Sequence, residues 1–354
     1  MSTPIPASTP ADRDGQPRVA VIVICYNLEE YIGDCIRSVV GQTARNLQIV
    51  VVDDGSTDAS WPIIRELAAE DPRIVAVRQA NSGRPAGARN AGLRVADGEY
   101  VCFLDGDDLY EPEKIERELR MFASHPELDV VFHDMHLVGR DGKARGSLYL
   151  RDVDYVRQAG PALVPSGTDC YLGTPGFYRF MTTRITGIHT STIMVRRSAI
   201  EAEGGAFSCE PDIDLADDID MWFRLARRRN VGYVDLPLSS YRQHSGGLTN
   251  DPPRVLAAGI AAHTRNLARA IPHLDRQDMA LCRARLGRQY CYLGNALARA
   301  GRRREARACY RKAFRLDPGL RPPLLWVKAL VPRSRRVSYV VEGLRRRARR
   351  RASG

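Results

Sequence analysis

The 354-residue sequence lacks any apolar run long enough to span a bilayer. Val19–Cys25, the longest near its start, is seven residues, where a membrane helix needs about 20. Residues 1–17, rich in Pro, Ser, Thr and Ala, lack the apolar centre of a secretory signal and read as a disordered tail. Eight cysteines are present, but none forms a CxxC pair. Several lie inside apolar runs such as VIVIC and YVCFL, where a thiol behaves as a small hydrophobe. A disulfide framework and a zinc site are therefore not expected, and the chain reads as a reduced, cytoplasmic protein. No GxGxxG follows the first apolar run, which argues against a dinucleotide dehydrogenase. No GxxxxGK(S/T) loop is present for a P-loop NTPase. The net charge of +11 is uneven: residues 331–354 hold nine arginines against one glutamate, and the remainder carries only +3. That balance describes a basic tail rather than a nucleic-acid-binding body, and no nucleic-acid partner is expected.

What is present is a regular alternation. RVAVIVI at 18–24 is continuous and β-branched, as a strand buried on both faces requires. Apolar residues at 32, 36, 39 and 40 then recur at helical spacing. Further strands are expected at 47–53, 74–79, 100–105 and 128–134, with helices between them over 59–70, 86–95 and 111–126. The pattern predicts a Rossmann-like, mostly parallel α/β sheet with helices on both faces. Residues 141–186 read as loops or a short hairpin over a cleft. STIMVRR at 191–197, a helix from Asp217 and a strand from 231 to 244 complete a first domain over 18–245.

Polar clusters fall at the carboxyl ends of the strands, where open α/β sheets bind ligands. VDDGSTD, from Asp53 to Asp58, offers acceptors for a base N–H or for ribose hydroxyls, not for phosphate. In FLDGDD, Asp105 and Asp107 lie two apart and share one side of an extended backbone. Such carboxylates repel unless a cation sits between them, and Mg²⁺ or Mn²⁺ bridging to a diphosphate is the expected remedy. Gly106 would admit the ligand to the backbone. Between the clusters, NSGRPAGARNAG supplies Arg84 and Arg89, to neutralise phosphate or to fix an aspartate.

The set VIVICYNLEEYIGDCIRSVVGQT, IVVVDDGSTD, NSGRPAGARNAGL, YVCFLDGDDLYEPEKIE, ADDIDMWFRLARR and YRQHSGG resembles the family 2 glycosyltransferases, in that family's order. The resemblance implies the GT-A nucleotide-sugar-binding fold. It also implies a metal-dependent enzyme that inverts the anomeric centre of a nucleoside diphosphate sugar, with a uridine-linked donor favoured. By that resemblance Tyr26 stacks near the base, Asp53 bonds it, Arg89 supports the nucleotide, Asp105 contacts ribose and Asp107 holds the metal. His244 reaches the metal or the diphosphate. Asp218 is the general base, while Asp217 and Trp222 meet the acceptor, a buried structural tryptophan being the other reading. The acceptor would be a saccharide, a glycolipid or another hydroxyl compound, as in surface polysaccharide synthesis. An inactive scaffold on the same fold, a nucleotidyltransferase and a helical interaction protein are the rival readings.

Residues 246–330 are expected to be helical. Tyr290, Leu293, Gly294, Gly301, Ala306, Tyr310, Ala313 and Pro318 resemble one tetratricopeptide repeat. One repeat cannot bury its own face, so 276–320 is expected to pack on preceding helices, on a protein partner or on a second copy. The tail 331–354 mixes arginines with Val337, Val340, Val341 and Leu344. It reads either as a basic amphipathic segment on an anionic membrane surface, at the inner face of the cell membrane, or as a solvated tail.

Overall fold

The computed structural model describes residues 17–244, 247 and 251–320. The expected tail at 1–17 (but for its last residue), the last ten residues of the expected helical region 246–330 and the basic segment 331–354 lie outside the described residues. The first half alternates strictly: β1 (Val19–Cys25), α1 (Ile32–Val40), β2 (Leu47–Asp53), α2 (Ser60–Glu70), β3 (Ile74–Arg78), α3 (Pro85–Val95) and β4 (Tyr100–Asp105). Then come β5 (Leu109–Tyr110), α4 (Lys114–Ser124), β6 (Val130–Val138) and β7 (Ala144–Leu148). The segment expected to be loops folds into α5 (Tyr155–Ala159), β8 (Leu163–Pro165), β9 (Cys170–Gly173) and α6 (Gly176–Thr183). Next are β10 (Ile193–Arg196), α7 (Arg197–Ala202), α8 (Asp217–Arg228) and β11 (Val231–Arg242). Three helices complete the described residues: α9 (Pro252–Ala270), α10 (Arg276–Arg299) and α11 (Arg303–Leu316).

The strands form one sheet in the order β3-β2-β1-β4-β10-β6-β11-β9-β8, with β5 on β11 and β7 on β6. The first four are parallel, as are β6 and β11. β10 runs antiparallel between β4 and β6, so the sheet is mixed. Alternation along β1 builds both cores. Val19, Val21 and Val23 face α1, α2 and α4, while Ala20 and Ile22 face α3, α6 and α8. Each fully buried aliphatic side chain of this kind stabilises the fold by about 1.5–3 kcal/mol. Helix α3 lies very close to β1: a Cβ at Gly92 would come within 2.3 Å of Ile22 Cγ2. Gly106 also lies tight against the neighbouring strand: a Cβ there would sit 2.6 Å from the Ile24 carbonyl of β1.

The segment after β7 is tied to the sheet. Asp134, fully buried on β6, accepts hydrogen bonds from the backbone N–H of Leu150 and Arg151 at 2.7 and 2.9 Å. Phe177, Phe180 and Met181 of α6 are buried in the core.

The chain divides into two compact units at Cys282/Arg283, within α10. In the first, Arg179 ties α6 to the start of α10 through Asp275 and Asp278. In the second, α10 and α11 form an antiparallel hairpin turned at Gly301, whose φ is +79°. Tyr310 packs on Gly294, where a Cβ would meet its ring at 2.6 Å, and donates a hydrogen bond to Asn295.

Candidate active site

Two turns at the strand ends are interlocked. Asn27 follows β1 at a φ of 53°. Its N–H donates to Ser56 Oγ at 2.9 Å, and its side chain accepts from Thr57 N–H at 2.8 Å. Leu28 and Glu29 donate to Ser60 and Asp58, and Glu29 accepts from Ala59. The apolar strands carry both turns to one end of the sheet, and short polar side chains then weld them together. Tyr26 projects from this edge, 46% exposed. Asp53, fully buried, caps the turn by accepting from Ser56 N–H and pairs with Arg78 at 3.0 Å. Asp54 anchors the next loop by accepting from Gln79 and from Ser82.

Arg89 joins two acidic clusters that lie more than a hundred residues apart in sequence. It is 5% exposed on α3 and donates to Asp217 at 2.7 Å and to Asp105 at 2.9 Å. The two carboxylates, with Asp218 adding to their field, raise the guanidinium pKa although burial opposes this. Burial pushes Asp217 up to about 6; Arg89 works against that rise and Asp218 adds to it. Asp217 opens α8, where the helix dipole favours a carboxylate. Its neighbour Asp218 turns elsewhere, accepting from Thr190 Oγ at 3.1 Å and from Ile219 N–H.

Asp107 meets His244 at 2.9 Å, carboxylate to Nε2. Burial and the nearby Asp105 raise the Asp107 pKa, and the hydrogen bond to His244 lowers it. Asp108, fully buried, accepts from Ser191 Oγ at 2.6 Å and from Arg242 N–H at 3.0 Å. Ligating atoms of Asp105, Asp108 and His189 also lie within 4.8 Å of one another. Both oxygens of Asp108 are already committed to the fold, which leaves Asp107 and His244 as the better donors. Carboxylate plus imidazole suits a divalent ion, and the imidazole suits Mn²⁺ better than Mg²⁺.

The structure thus brings Asp105, Asp107, Arg89, His244, Asp217 and Asp218 into one linked set at the strand ends, with Tyr26 and Asp53 on the adjoining turns. Trp222 takes the structural of its two readings: it is fully buried against Phe103 and Phe207 and props the strand behind the site. Asp217 is 1% exposed and bound to Arg89, so it holds that arginine rather than the acceptor. Arg84, expected to neutralise phosphate or to fix an aspartate, donates to the Cys209 carbonyl and fastens the loop before α8 to the start of α3. Asn27, Thr190, Ser191, His189 and Arg242 shape the site but lacked a readable signal: they stand singly in turns or at a strand end, without spacing or repetition.

Comparison with known proteins agrees with this geometry. The family model "Glycosyl transferase family 2" matches residues 20–203, just over half of the chain. Asp217, Asp218, Trp222 and His244 lie beyond that match. A tetratricopeptide repeat model matches 287–320. The Bacillus subtilis protein EpsH is 31% identical over 71% of this chain and 69% of its own. The Escherichia coli UDP-Glc:alpha-D-GlcNAc-diphosphoundecaprenol beta-1,3-glucosyltransferase WfaP is 27% identical over 70% of this chain and 89% of its own. With other relatives the match covers about half or less of their length. The solved mannosyltransferase PcManGT of Pyrobaculum calidifontis, in complex with GDP-Man and Mn²⁺, aligns with a TM-score of 0.53. It shares 20% identity over 83% of this chain and 78% of its own, which speaks to the GT-A fold alone. The chain belongs to glycosyl transferase family 2, with a tetratricopeptide repeat following its GT-A domain.

Proposed function

We propose that the protein transfers a sugar from a nucleoside diphosphate sugar to a hydroxyl acceptor with inversion, with Asp218 as general base. The observation that carries this reading is the bridge of Arg89 between Asp105 and Asp217, which sets the nucleotide-side acids beside the first turn of α8. Tyr26 would receive the base, with Asp53 holding the turn beneath it, and Asp105 would receive the ribose. Asp107 and His244 would hold Mn²⁺ or Mg²⁺. When bound, the ion neutralises charge on the departing diphosphate. Arg89, saturated by two carboxylates, keeps Asp105 in place rather than contacting phosphate. Asp218 takes the acceptor proton as that hydroxyl attacks the face of the anomeric carbon opposite the leaving group. A single base and one displacement give inversion.

A uridine-linked donor and a lipid diphosphate-linked saccharide acceptor are favoured by the likeness to WfaP, whose name states both. The GDP-Man bound by PcManGT keeps a guanosine donor in the comparison. Calorimetry of UDP-, GDP- and dTDP-sugars with Mn²⁺, repeated on Asp107→Ala, is the test. Metal-dependent binding of one donor, abolished by the substitution, is expected. A folded protein that binds none of them would overturn the reading in favour of a scaffold on an inherited fold.

A further inference from the structure

Charge is partitioned between the two units. Residues 1–282 hold 31 Lys and Arg against 39 Asp and Glu, net −8. Residues 283–354 hold 22 against three, net +19. The hairpin segment 283–320 alone carries eleven against two, net +9, so the basic character is not confined to the last residues. An anionic surface would repel the first unit and attract the second.

The arrangement on α11 is more specific than its charge. Ala306, Tyr310 and Ala313 form its buried side. At about 100° per residue, Arg303, Arg307, Arg311, Arg304 and Arg315 fall on a neighbouring arc of roughly 120°, with Phe314 among them. Phe314 is 52% exposed, and Arg303, Arg304, Arg311 and Arg315 are exposed too. The acid of this helix, Glu305, lies off the arc and pairs with Arg302. A lone aromatic ring set among arginines, with no acid beside it, fits the boundary between lipid headgroups and acyl chains. The ring enters the apolar layer, and the long arginine stems reach back to phosphate.

We infer that the outer arc of α11 docks on an anionic phospholipid surface, Phe314 inserting and Arg303, Arg304 and Arg311 pairing with headgroups. The site is distinct from residues 331–354 and needs no contribution from them.

The test places a local probe in the full-length chain, Phe314→Trp, and reads fluorescence against the wild type on vesicles with brominated acyl chains. The added emission should be quenched by vesicles containing 30% phosphatidylglycerol and spared by phosphatidylcholine alone. High salt should abolish the quenching. Arg303→Gln with Arg311→Gln should raise the lipid concentration for half-quenching about 25-fold, at roughly five-fold for each arginine. If vesicles sediment the protein while residue 314 stays unquenched, another segment docks and the inference fails. If polyglutamate shields residue 314 from acrylamide and the vesicles do not, the arc serves an acidic polypeptide instead, and the inference fails equally.

Discussion

Replacing Arg89 with methionine removes one guanidinium and leaves two carboxylates without their common partner. Both hydrogen bonds are short, 2.7 and 2.9 Å, and the side chains of Arg89 and Asp217 are 6% and 2% exposed. Breaking a buried pair from one side costs about 3–5 kcal/mol, because the remaining charge has neither water nor a counterion. With a urea slope of about 3 kcal/mol per M, the midpoint should fall by about 1–1.7 M. The loss should depend on pH in a stated direction. Arg89 opposes the raised pKa of Asp217, so its removal lifts that pKa further. A carboxyl raised in the folded state binds more protons folded than unfolded, and stability then falls as pH rises between the two values. The variant should therefore lie nearer to wild type at pH 5 than at pH 8. Arg89→Met with Asp217→Leu should recover much of the deficit, since no unpaired charge then remains at 217. The assay is urea unfolding followed by circular dichroism at both pH values. A single variant within 1 kcal/mol of wild type at pH 8, or an equal loss at both pH values, would refute the reasoning.

Other outcomes follow from the same geometry. In the wild type, Asp217 rises from about 4 to about 6 on folding, so stability it would add is lost as pH climbs through that window; Asp217→Asn should flatten that part of the profile in thermal unfolding. Asp218→Asn should lower turnover by about 10²- to 10⁴-fold while leaving donor affinity within about two-fold, read by calorimetry beside a transfer assay. Trp222→Ala should cost about 3–5 kcal/mol as a core cavity. Trp222→Phe should cost less than half of that, because the buried indole N–H has no acceptor to lose. Equal losses in those two variants would count against a purely packing role.

Much of this was written in the chain. The strands β1, β2 and β4 are continuous apolar runs, and nothing but a two-sided sheet buries them, so their polar tips had to meet at one end. The residues of α8 were harder to place. Asp217 and Asp218 are adjacent in sequence, but a helix turns them about 100° apart. One is driven onto Arg89 and the other onto Thr190, and which is which depends on how α3 packs. Trp222 follows from the same rotation, which carries it into the core behind Phe103. The direction of β10 could not be read either, because a four-residue apolar run is the same parallel or antiparallel. His189, Thr190 and Ser191 lie just before it in a 3₁₀ turn, without a period to betray them. The hairpin was recognised by its small residues, whereas the charge it carries emerged only once its boundary separated it from an acidic catalytic unit.

The wedge of β10 between β4 and β6 also governs how the chain must be made. As a nascent chain leaves the ribosome, β1 to β4 can assemble from neighbours close in sequence, and β6 follows soon after. The strand that joins them comes more than fifty residues after β6 ends. Until it emerges, β4 and β6 each present a bare hydrogen-bonding edge on what becomes the middle of the sheet. Such edges invite pairing with another chain, and contacts this distant close slowly. A chain stopped before Ile193 would lack β11 as well, leaving β1 to β4, β6 with β7, and the β8–β9 pair as separate pieces with open edges, and sticking to its own copies is the fate that its topology assigns to it.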